Sequence, residues 1–317
     1  MTCDDVSMVL EDPQTLLRAV AAARGWVLGA VPAARVVEVR RGLEGAHAAG
    51  SFDSDFYDLE LADAFHWEPP AELGEARSVI VVARPVTAGR LVFRVGGRTI
   101  PVVVPPTYRR FRAVGQEMVA QVDQVLRSVG HRAVAAELPK KALAVGAGLA
   151  RYGRNNIAYF PRMGSYAQIA AAWSDLPAGE DPWRQPAMLE DCAACRACVV
   201  ACPTGAISTE RFPLHGELCV THLNEWPGSF PDWLPGSAHN ALVGCMRCQT
   251  TCPADKDVAG WVEDGPVFSD EETRLLLAAV PREELAAETL AKLDGLDTFM
   301  EHGLLCRNLA AVLAGEI

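Results

Sequence analysis

Long apolar runs and an excess of positive charge are both missing from this sequence. Its strongly apolar runs, such as Val79–Ala83, are far shorter than the roughly 20 residues that a membrane-spanning helix needs. Its 29 Lys and Arg residues are outnumbered by 40 Asp and Glu residues, which leaves a net charge of −11. A chain this acidic lacks the positive field that attracts nucleic acids. We therefore expect neither a membrane nor a nucleic acid as a partner.

A targeting signal is missing as well. Met1–Asp5 is acidic, whereas a secretory signal begins with basic residues followed by an apolar stretch. Arg40-Arg41 is not followed by the apolar run that a twin-arginine signal requires. We therefore expect a cytoplasmic protein, in a reducing compartment that suits thiolate ligands better than disulfides.

Half of the 317 residues are hydrophobic, which is enough for one large domain or two modest ones. Apolar periodicity predicts helices over Pro13–Trp26, Tyr108–Val129, Lys140–Ala150, Asp270–Val280, Arg282–Leu293 and Leu296–Leu313. Runs rich in β-branched residues predict strands over Ser78–Arg84, Leu91–Val95, Thr99–Val104 and Ser165–Trp173. The Gly96-Gly97 pair predicts a hairpin between two of these strands. Arg151–Pro161 is predicted to be a structured loop, and Gly45–Leu73 receives no assignment.

The composition divides the chain into three parts. Residues 1–185 have the pattern of a mixed helix-and-strand domain, whereas cysteine, proline and glycine dominate from Asp191 to Asp257. This second stretch has too few periodic apolar residues to form a stabilising core, so cross-links of another kind must stabilise it. We therefore predict an α/β domain over residues 1–185, a stapled module over residues 186–260 and a helical segment over residues 261–317.

The ten cysteines predict what holds this stretch together. They are clustered and therefore indicate metal binding. The strongest pattern is Cys192-x2-Cys195-x2-Cys198-x3-Cys202-Pro203. In this pattern three cysteines surround one 4Fe–4S cluster and the fourth is a ligand of another cluster. A second run, Cys245-x2-Cys248-x3-Cys252-Pro253, repeats the pattern without its first cysteine, and Cys219 lies between the two runs. The eight thiolates suffice for two four-cysteine clusters.

The spacing predicts which cysteines share a cluster. The first set is Cys192, Cys195, Cys198 and Cys252, and the second set is Cys202, Cys219, Cys245 and Cys248. Because each run contributes to both sets, the clusters would cross-link the two runs. They would also lie near one another, as electron relay requires.

Zinc is one alternative, because paired C-x2-C spacings also suit a tetrahedral zinc site. The third cysteine and the x3-Cys-Pro ending favour iron–sulfur clusters instead. Purely structural clusters are a second alternative, but two adjacent clusters exceed what stapling needs. Cys3 and Cys306 are left over. His222, three residues after Cys219, is predicted to lie beside the clusters or on the surface without being a ligand.

The cysteine framework resembles that of the epoxyqueuosine reductases, whose relatives, the reductive dehalogenases, use a similar two-cluster module beside a corrinoid. Four stretches extend the resemblance: Ala76–Arg84 (ARSVIVVAR), Ala147–Asn155 (AGLARYGRN, against the family's AGLGWIGKN), Gly164–Tyr166 (GSY, against GSW) and Gly244–Pro253 (GCMRCQTTCP). It covers residues 73–253 and, more faintly, residues 303–314, and it implies an α+β fold. In that fold a nitroreductase-like α/β domain binds the corrinoid, beside a ferredoxin-like two-cluster module and C-terminal helices.

The resemblance also implies a mechanism. A base-off cobalamin would sit on the N-terminal domain, with one cluster near the corrin and the other accepting electrons from an external low-potential donor. Carried over position by position, the residues that would line the corrin are Gly153, Asn155, Gly164, Ser165 and Thr221.

The resemblance fails at the family's proton donor. The family has an acidic residue before the AGLG loop, and Val134 stands at that position in this chain. An aliphatic side chain cannot donate a proton, so Glu137 is the candidate that could replace it. This departure and the net charge of −11 make tRNA the less favoured substrate.

These observations predict a cobalamin-dependent iron–sulfur oxidoreductase with two 4Fe–4S clusters, which reduces a small molecule or a corrinoid protein. The alternative is a cofactor-free, ferredoxin-like electron carrier for a partner enzyme. An open cavity lined by Gly164, Ser165 and Thr221 would favour the enzyme, and a cavity filled by large side chains would favour the carrier.

Overall fold

Helices and strands follow one another in small groups along the chain. In the computed structural model, which describes residues 12–298 and 300–316, the strands are β1 (Val27–Pro32), β2 (Ser78–Pro85), β3 (Ala88–Val95), β4 (Arg98–Val104), β5 (Ala133–Ala135), β6 (Arg151–Tyr152), β7 (Ala158–Tyr159), β8 (Ala167–Ser174) and β9 (Val262–Phe268). The helices are α1 (Pro13–Ala23), α2 (Arg35–Ala48), α3 (Ser54–Glu60), α4 (Phe111–Arg127), α5 (Lys140–Gly146), α6 (Ala197–Ala201), α7 (Val220–Glu225), α8 (Arg247–Thr250), α9 (Asp270–Leu277), α10 (Ala287–Leu296) and α11 (His302–Glu316). The predicted α+β class is confirmed. Cys3 lies outside the described residues.

A four-stranded antiparallel sheet, in the order β1-β2-β8-β5, organises the N-terminal region. Successive side chains of a strand point to opposite faces of its sheet. In β2, Val79 and Val81 pack in a core with residues of α2 and α5, whereas Ile80 and Val82 pack in a core with residues of α1 and α4. Both faces of β2 are therefore covered, which explains its continuous apolar run.

Helix α4 covers one face of this sheet with a single apolar stripe. Its buried residues, Val114, Met118, Val122 and Leu126, recur every fourth position and so lie on one side of the helix. The sequence placed this helix over Tyr108–Val129, and the structure shortens it at both ends.

A second sheet has the order β4-β3-β9. Strands β3 and β4 form the predicted hairpin, and both glycines of its Gly96-Gly97 turn have positive φ angles, of 57° and 77°. Strand β9 runs parallel to β3. The segment predicted to be helical over residues 261–317 thus begins with a strand, which is a correction to that prediction. The predicted domain boundaries themselves stay a prediction.

The C-terminal helices α9, α10 and α11 share an apolar core with the β3–β4 hairpin. The three helices predicted here all differ in their bounds from α9, α10 and α11. Residues Arg282–Glu284 form a separate 3-10 turn, and the chain breaks after Leu296, where Asp297 adopts a left-handed conformation with φ 42°. The predicted helix Lys140–Ala150 is also too long: α5 ends at Gly146, and Gly148 turns the chain with φ 72°.

Several elements were not predicted. Three of them are β1, α2 and α3, which precede or fall within Gly45–Leu73, the stretch without an assignment. The predicted loop Arg151–Pro161 contains a fourth, the small β6–β7 hairpin. The cluster segment, defined as residues 191–257, contains only the short helices α6, α7 and α8 and several 3-10 turns. Within the described part of the chain, we find no helix with the length and apolar character needed to span a bilayer.

Candidate functional site: two cysteine-lined cavities

A cavity of about 390 Å³ lies between the cluster segment and the N-terminal region. The N-terminal region contributes Lys141, Asn155 and Ser165 to its lining, and α7 contributes Thr221. The second cysteine set also lines this cavity: Cys202, Cys219, Cys245 and Cys248. The four thiols that the spacing assigned to one cluster therefore face one common space.

The first cysteine set lines a smaller, neighbouring cavity. Its lining includes Cys192, Cys195, Cys198 and Cys252, together with Gly153, Arg154, Asn155 and Tyr159. The spacing thus grouped the eight cysteines in the same way as the cavities do. The assignment of each thiolate to a particular cluster stays a prediction.

Short helices bring the two cysteine runs together. Helix α6 carries Cys198 and ends immediately before Cys202, while α8 carries Cys248 and ends shortly before Cys252. These two helices contact one another. Because each helix is followed by a cysteine that turns away from it, each run can contribute to both sets.

Each set contains thiols whose ionised form is costly without a compensating cation. Burial raises the pKa of Cys198, and the neighbouring thiolates of Cys192 and Cys252 raise it further. Burial raises the pKa of Cys248 as well, with added repulsion from Cys245 and Cys219. Bound iron reverses this cost, because a metal ion deprotonates a coordinating thiol. The two sites therefore suit metal clusters with thiolate ligands.

Asn155 lies between the two cavities and lines both of them. Its side chain donates a hydrogen bond to the hydroxyl of Tyr159 (2.9 Å) and a further hydrogen bond to Cys248, which lowers the pKa of that thiol. Tyr159 in turn donates to Cys252, which belongs to the other set. Asn155 and Tyr159 thus connect one set to the other.

Ser165 is held at the large cavity by a buried carboxylate. Its backbone N–H donates to Asp255 Oδ1 (2.7 Å) and its hydroxyl to Asp255 Oδ2 (2.6 Å). The preceding residue, Gly164, has φ 53°, and a Cβ there would lie 2.2 Å from Asp255 Oδ1. Only glycine allows this close approach, which joins the Gly164-Ser165 turn to the end of the second cysteine run.

The five residues implied to line a corrin do not all lie in the large cavity. Asn155, Ser165 and Thr221 do, and Thr221 also donates hydrogen bonds to Cys219 from its backbone and its side chain. Gly153 lines the smaller cavity, where a Cβ would lie 2.4 Å from Tyr159. Gly164 faces Asp255 and lines neither cavity.

Glu137 lies between β5 and α5, outside the residues that line the cavity. Its side chain is 60% exposed and forms an ion pair with Lys140, with 3.3 Å between Oε2 and Nζ. Its role as a proton donor stays a prediction, and this placement gives it no support.

Two side chains of the cavity wall, Lys141 and Tyr108, were not found from the sequence. Lys141 lines it, because α5 begins at its edge, but the sequence showed only a lysine pair at a helix start. Tyr108 also lines it and donates a hydrogen bond to Glu225, whose pKa burial raises to about 7. No local pattern signals a contact across more than a hundred residues.

Comparison with known families and proteins agrees with this geometry. Residues 191–255 match the family described as a 4Fe-4S double cluster binding domain. An epoxyqueuosine reductase of Staphylococcus aureus is 26% identical over 236 residues, which cover 70% of this chain and 58% of that protein. An epoxyqueuosine reductase of Bacillus subtilis is 34% identical over 121 residues, which cover 38% of this chain and 30% of that protein. The chain thus matches about a third to three fifths of the length of these relatives.

Solved structures extend the likeness over almost the whole fold. The epoxyqueuosine reductase of Streptococcus thermophilus aligns with a TM-score of 0.67 at 16% identity, covering 96% of this chain and 81% of that one. An epoxyqueuosine reductase solved with an epoxyqueuosine-modified tRNA-Tyr stem loop aligns with a TM-score of 0.64 at 21% identity, covering 96% and 82%. The chain therefore resembles the epoxyqueuosine reductases in sequence, has their fold, and contains a double 4Fe–4S cluster-binding segment.

Proposed function

We propose that this protein is an iron–sulfur reductase that passes electrons through two 4Fe–4S clusters to a cobalamin held in the large cavity. An external low-potential donor supplies the electrons. The substrate is a small molecule or a corrinoid protein. One observation carries the proposal: the second cysteine set and Ser165, Asn155 and Thr221 line one open cavity of about 390 Å³.

The residues of the cavity suit a large cofactor that needs both polar and apolar contacts. Ser165 and Thr221 supply hydroxyl groups, and the remaining lining includes apolar side chains such as Ile157, Ile169 and Val220. A bound cobalamin would supply a strongly reducing cobalt centre. The chain would hold it beside the second cluster, and Asp255 would fix the Ser165 hydroxyl through its 2.6 Å hydrogen bond.

Two sets of thiolates suit an electron route through this chain. Asn155 lines both cavities, so the two clusters would be neighbours. Reduction potentials of such clusters reach about −700 mV, which is low enough for demanding reductions. The first set would take electrons from the donor, and the second set, which lines the large cavity, would deliver them.

Cobalamin retention tests the proposal. Anaerobically purified, cluster-reconstituted protein would be mixed with hydroxocobalamin, reduced mildly and desalted, and then examined by absorbance and EPR. We expect about one base-off Co(II) signal per chain beside the cluster signals. Clusters without retained corrinoid would overturn the proposal and favour the cofactor-free electron carrier.

A cavity-filling variant makes this test specific. Ile157→Trp adds bulk at the cavity wall and should reduce the retained cobalamin while the iron content stays unchanged. Val37→Trp adds the same ring at a position of α2 that is 49% exposed, and it should retain cobalamin like the wild type. Equal retention in both variants would place cobalamin outside this cavity.

Reduction of epoxyqueuosine in tRNA is a second candidate, favoured by the relatives. One of them was solved with an epoxyqueuosine-modified tRNA stem loop, although the charge of this chain argues against a nucleic acid. The test is to incubate the loaded, reduced protein with epoxyqueuosine-containing tRNA and to analyse its nucleosides. Conversion to queuosine would establish this substrate, and an unchanged nucleoside in an assay with active cobalt would exclude it.

A further inference from the structure

Three polar residues in the wall of the large cavity are almost completely buried. Asn155, Ser165 and Gln168 are each no more than 4% exposed. A buried polar group costs free energy unless it makes hydrogen bonds, so each of these side chains needs a partner. Asn155 donates to the hydroxyl of Tyr159, and Ser165 donates to Asp255. Two of the three side chains are therefore satisfied by the protein itself.

Gln168 is the exception. Across residues 12–298 and 300–316, its side-chain amide makes no hydrogen bond to another residue. Both polar atoms of the amide nevertheless border open space, and the large cavity is the space that this residue lines. Arg84, which lies opposite Gln168 on β2, is paired with Glu117 instead (3.3 Å). The amide thus presents its donor and its acceptor to the cavity.

Packing alone does not explain a glutamine at this position of β8. Side chains of a strand alternate between its two faces, so Gln168 shares a face with Ala170 and Ala172, which pack in the core beneath α4. An apolar side chain of similar size would continue this stripe without burying an amide that the fold leaves unbonded. A local departure from such a pattern is expected at functional sites. The position therefore favours a role in binding.

The edge of β8 beside Gln168 also has unpaired backbone groups. Strand β5 pairs only with Ala172–Ser174, and one further backbone bond reaches the carbonyl of Ala171. Backbone groups two residues apart in a strand point to the same edge, so the N–H and C=O of Ile169 point to this edge too. In the described part of the chain no strand pairs with them, and Ile169 lines the cavity. A ligand beside Gln168 would meet these groups as well.

We propose that Gln168 is a ligand-binding residue of the large cavity, and that the molecule in this cavity presents a primary carboxamide to it. A carboxamide has an N–H donor beside a C=O acceptor, so it can bond to both Oε1 and Nε2 of the Gln168 side chain. A ketone or a carboxylate would bond only to Nε2 and leave Oε1 without a partner. The apolar side chains of Phe111, Ile169 and Leu214 would contact the rest of the molecule.

The carboxamide has two sources to distinguish. A cobalamin carries primary carboxamides around its corrin ring, and one of them could reach Gln168. The other source is the substrate. The choice between the two rests on the proposed function, whereas the carboxamide site itself can be tested without any corrinoid.

Two small neutral probes test the site. Cluster-reconstituted, cobalamin-free protein would be titrated with benzamide and with acetophenone, and binding would be followed by ligand-detected NMR. Acetophenone keeps the carbonyl group but has a methyl group in place of the amide nitrogen. We expect benzamide to bind at least about tenfold more tightly, which corresponds to about 1.4 kcal/mol. Benzamide that binds no more tightly than acetophenone would overturn the inference.

Gln168→Met assigns the effect to this side chain, because methionine keeps the chain length and removes both hydrogen-bonding groups. The variant should lose the preference for benzamide. Its iron content should be unchanged and its melting temperature no lower than that of the wild type, because the fold does not bond the amide. Gln116→Met makes the same change at an exposed position of α4 and should keep the preference.

Two results would refute this assignment. One is a Gln168→Met protein with normal iron content and an unchanged preference for benzamide. The other is a clear fall in the melting temperature of both Gln168→Met and Gln168→Leu, which would show that the folded state itself uses the amide. Two variants are needed because one new side chain can be strained where the other is not.

Cobinamide, which keeps the corrin carboxamides and lacks the nucleotide of cobalamin, identifies the source. If a corrin carboxamide occupies the site, Gln168→Met should weaken the retention of cobinamide and Gln116→Met should not. If both variants retain cobinamide like the wild type, the carboxamide belongs to the substrate, and benzamide should still bind to the loaded protein. A preference for benzamide without any corrinoid retention would leave the Gln168 site standing and overturn the proposed function alone.

Discussion

In strand β2 of the central sheet, every residue from Ser78 to Ala83 is buried, and five of these six are apolar. In the cluster segment, all eight predicted ligand cysteines line cavities and seven of them are half-buried, while its helices have only four to six residues. The sheet is therefore held by apolar contacts on both of its faces. The buried apolar residues of the cluster segment, such as Leu242 and Val243, belong to cores shared with other parts of the chain, so we expect its order to depend on what the thiolates bind.

Two neighbouring parts of this chain thus depend on different chemistry to keep their folded structure. The Gly164-Ser165 turn joins them, because Ser165 begins the approach to β8 and donates two hydrogen bonds to Asp255 of the cluster segment. A change in either part should therefore disturb the structure of its own region first, and the contact between Ser165 and Asp255 second.

The largest effect should come from removing one cluster ligand. Cys198→Ala takes a thiolate from the first set, and we expect at least half of the bound iron to be lost, because a four-cysteine site is left with three ligands. Proteases should then cleave within residues 191–257 while the sheet region stays intact. Iron content and mass spectrometry of the fragments measure both results.

Cys306→Ala is the matched control for this change. Cys306 is also buried, but it packs in the apolar core of the C-terminal helices, and burial raises the pKa of its thiol to about 11. Its removal should leave the iron content unchanged. Iron loss in this variant, or full iron content in Cys198→Ala, would contradict the assignment of the ligands.

The second effect is a cavity in the sheet. Ile80→Ala removes a fully buried side chain from the core between β2 and α4. We expect a loss of about 2–5 kcal/mol in the free energy of unfolding, the usual range for such truncations. The iron content at low temperature should be unchanged, since the thiolates are untouched. Denaturant titration of the anaerobic protein gives the loss, and iron loss in the folded variant would show that the two regions are not held independently.

The smallest effect is a pH dependence within the cluster segment. Burial raises the pKa of Glu225 from its usual 4.5 to about 7, beside Tyr108, Glu60 and His222. The folded state thus holds this proton at pH values where the unfolded state has released it. Stability should fall as the pH rises from about 4.5 to 7, by up to about 3 kcal/mol from this one group.

Glu225→Gln isolates this contribution, because the amide cannot ionise and its oxygen can still accept the hydrogen bond of Tyr108. The variant should lose less thermal stability than the wild type between pH 5 and pH 8. Glu190→Gln changes an exposed carboxyl of a 3-10 turn in the same region and should follow the wild type. Parallel melting curves for Glu225→Gln and the wild type would show that Glu225 does not titrate in this range.

Local pattern alone predicted much of this protein. The run Ser78–Arg84, the turn at Gly96-Gly97 and the spacing of the eight cysteines each encode their structure within a few residues. Strand periodicity and a positive-φ turn are local properties, so these two predictions agree with the structure. The cysteine spacing gives the same two groups as the cavities, and the ligand assignment stays a prediction. The helix end at Gly146 was missed, and the last helix was placed from Leu296 although α11 begins at His302. In both places apolar periodicity continues across a backbone turn that only the φ angles of Gly148 and Asp297 reveal.

Other features depended on distant parts of the chain. The pairing of β9 with β3 joins residues more than 150 positions apart, and no pattern in either strand names its partner. The placing of Gly164 against Asp255, and of Lys141 rather than Glu137 at the cavity, follows from how α5 and the cluster segment pack. The sequence determined which side chains could hold clusters and form strands. Only the tertiary structure decided which of them share a cavity, because that depends on the closure of long chain segments whose contacts are not encoded locally.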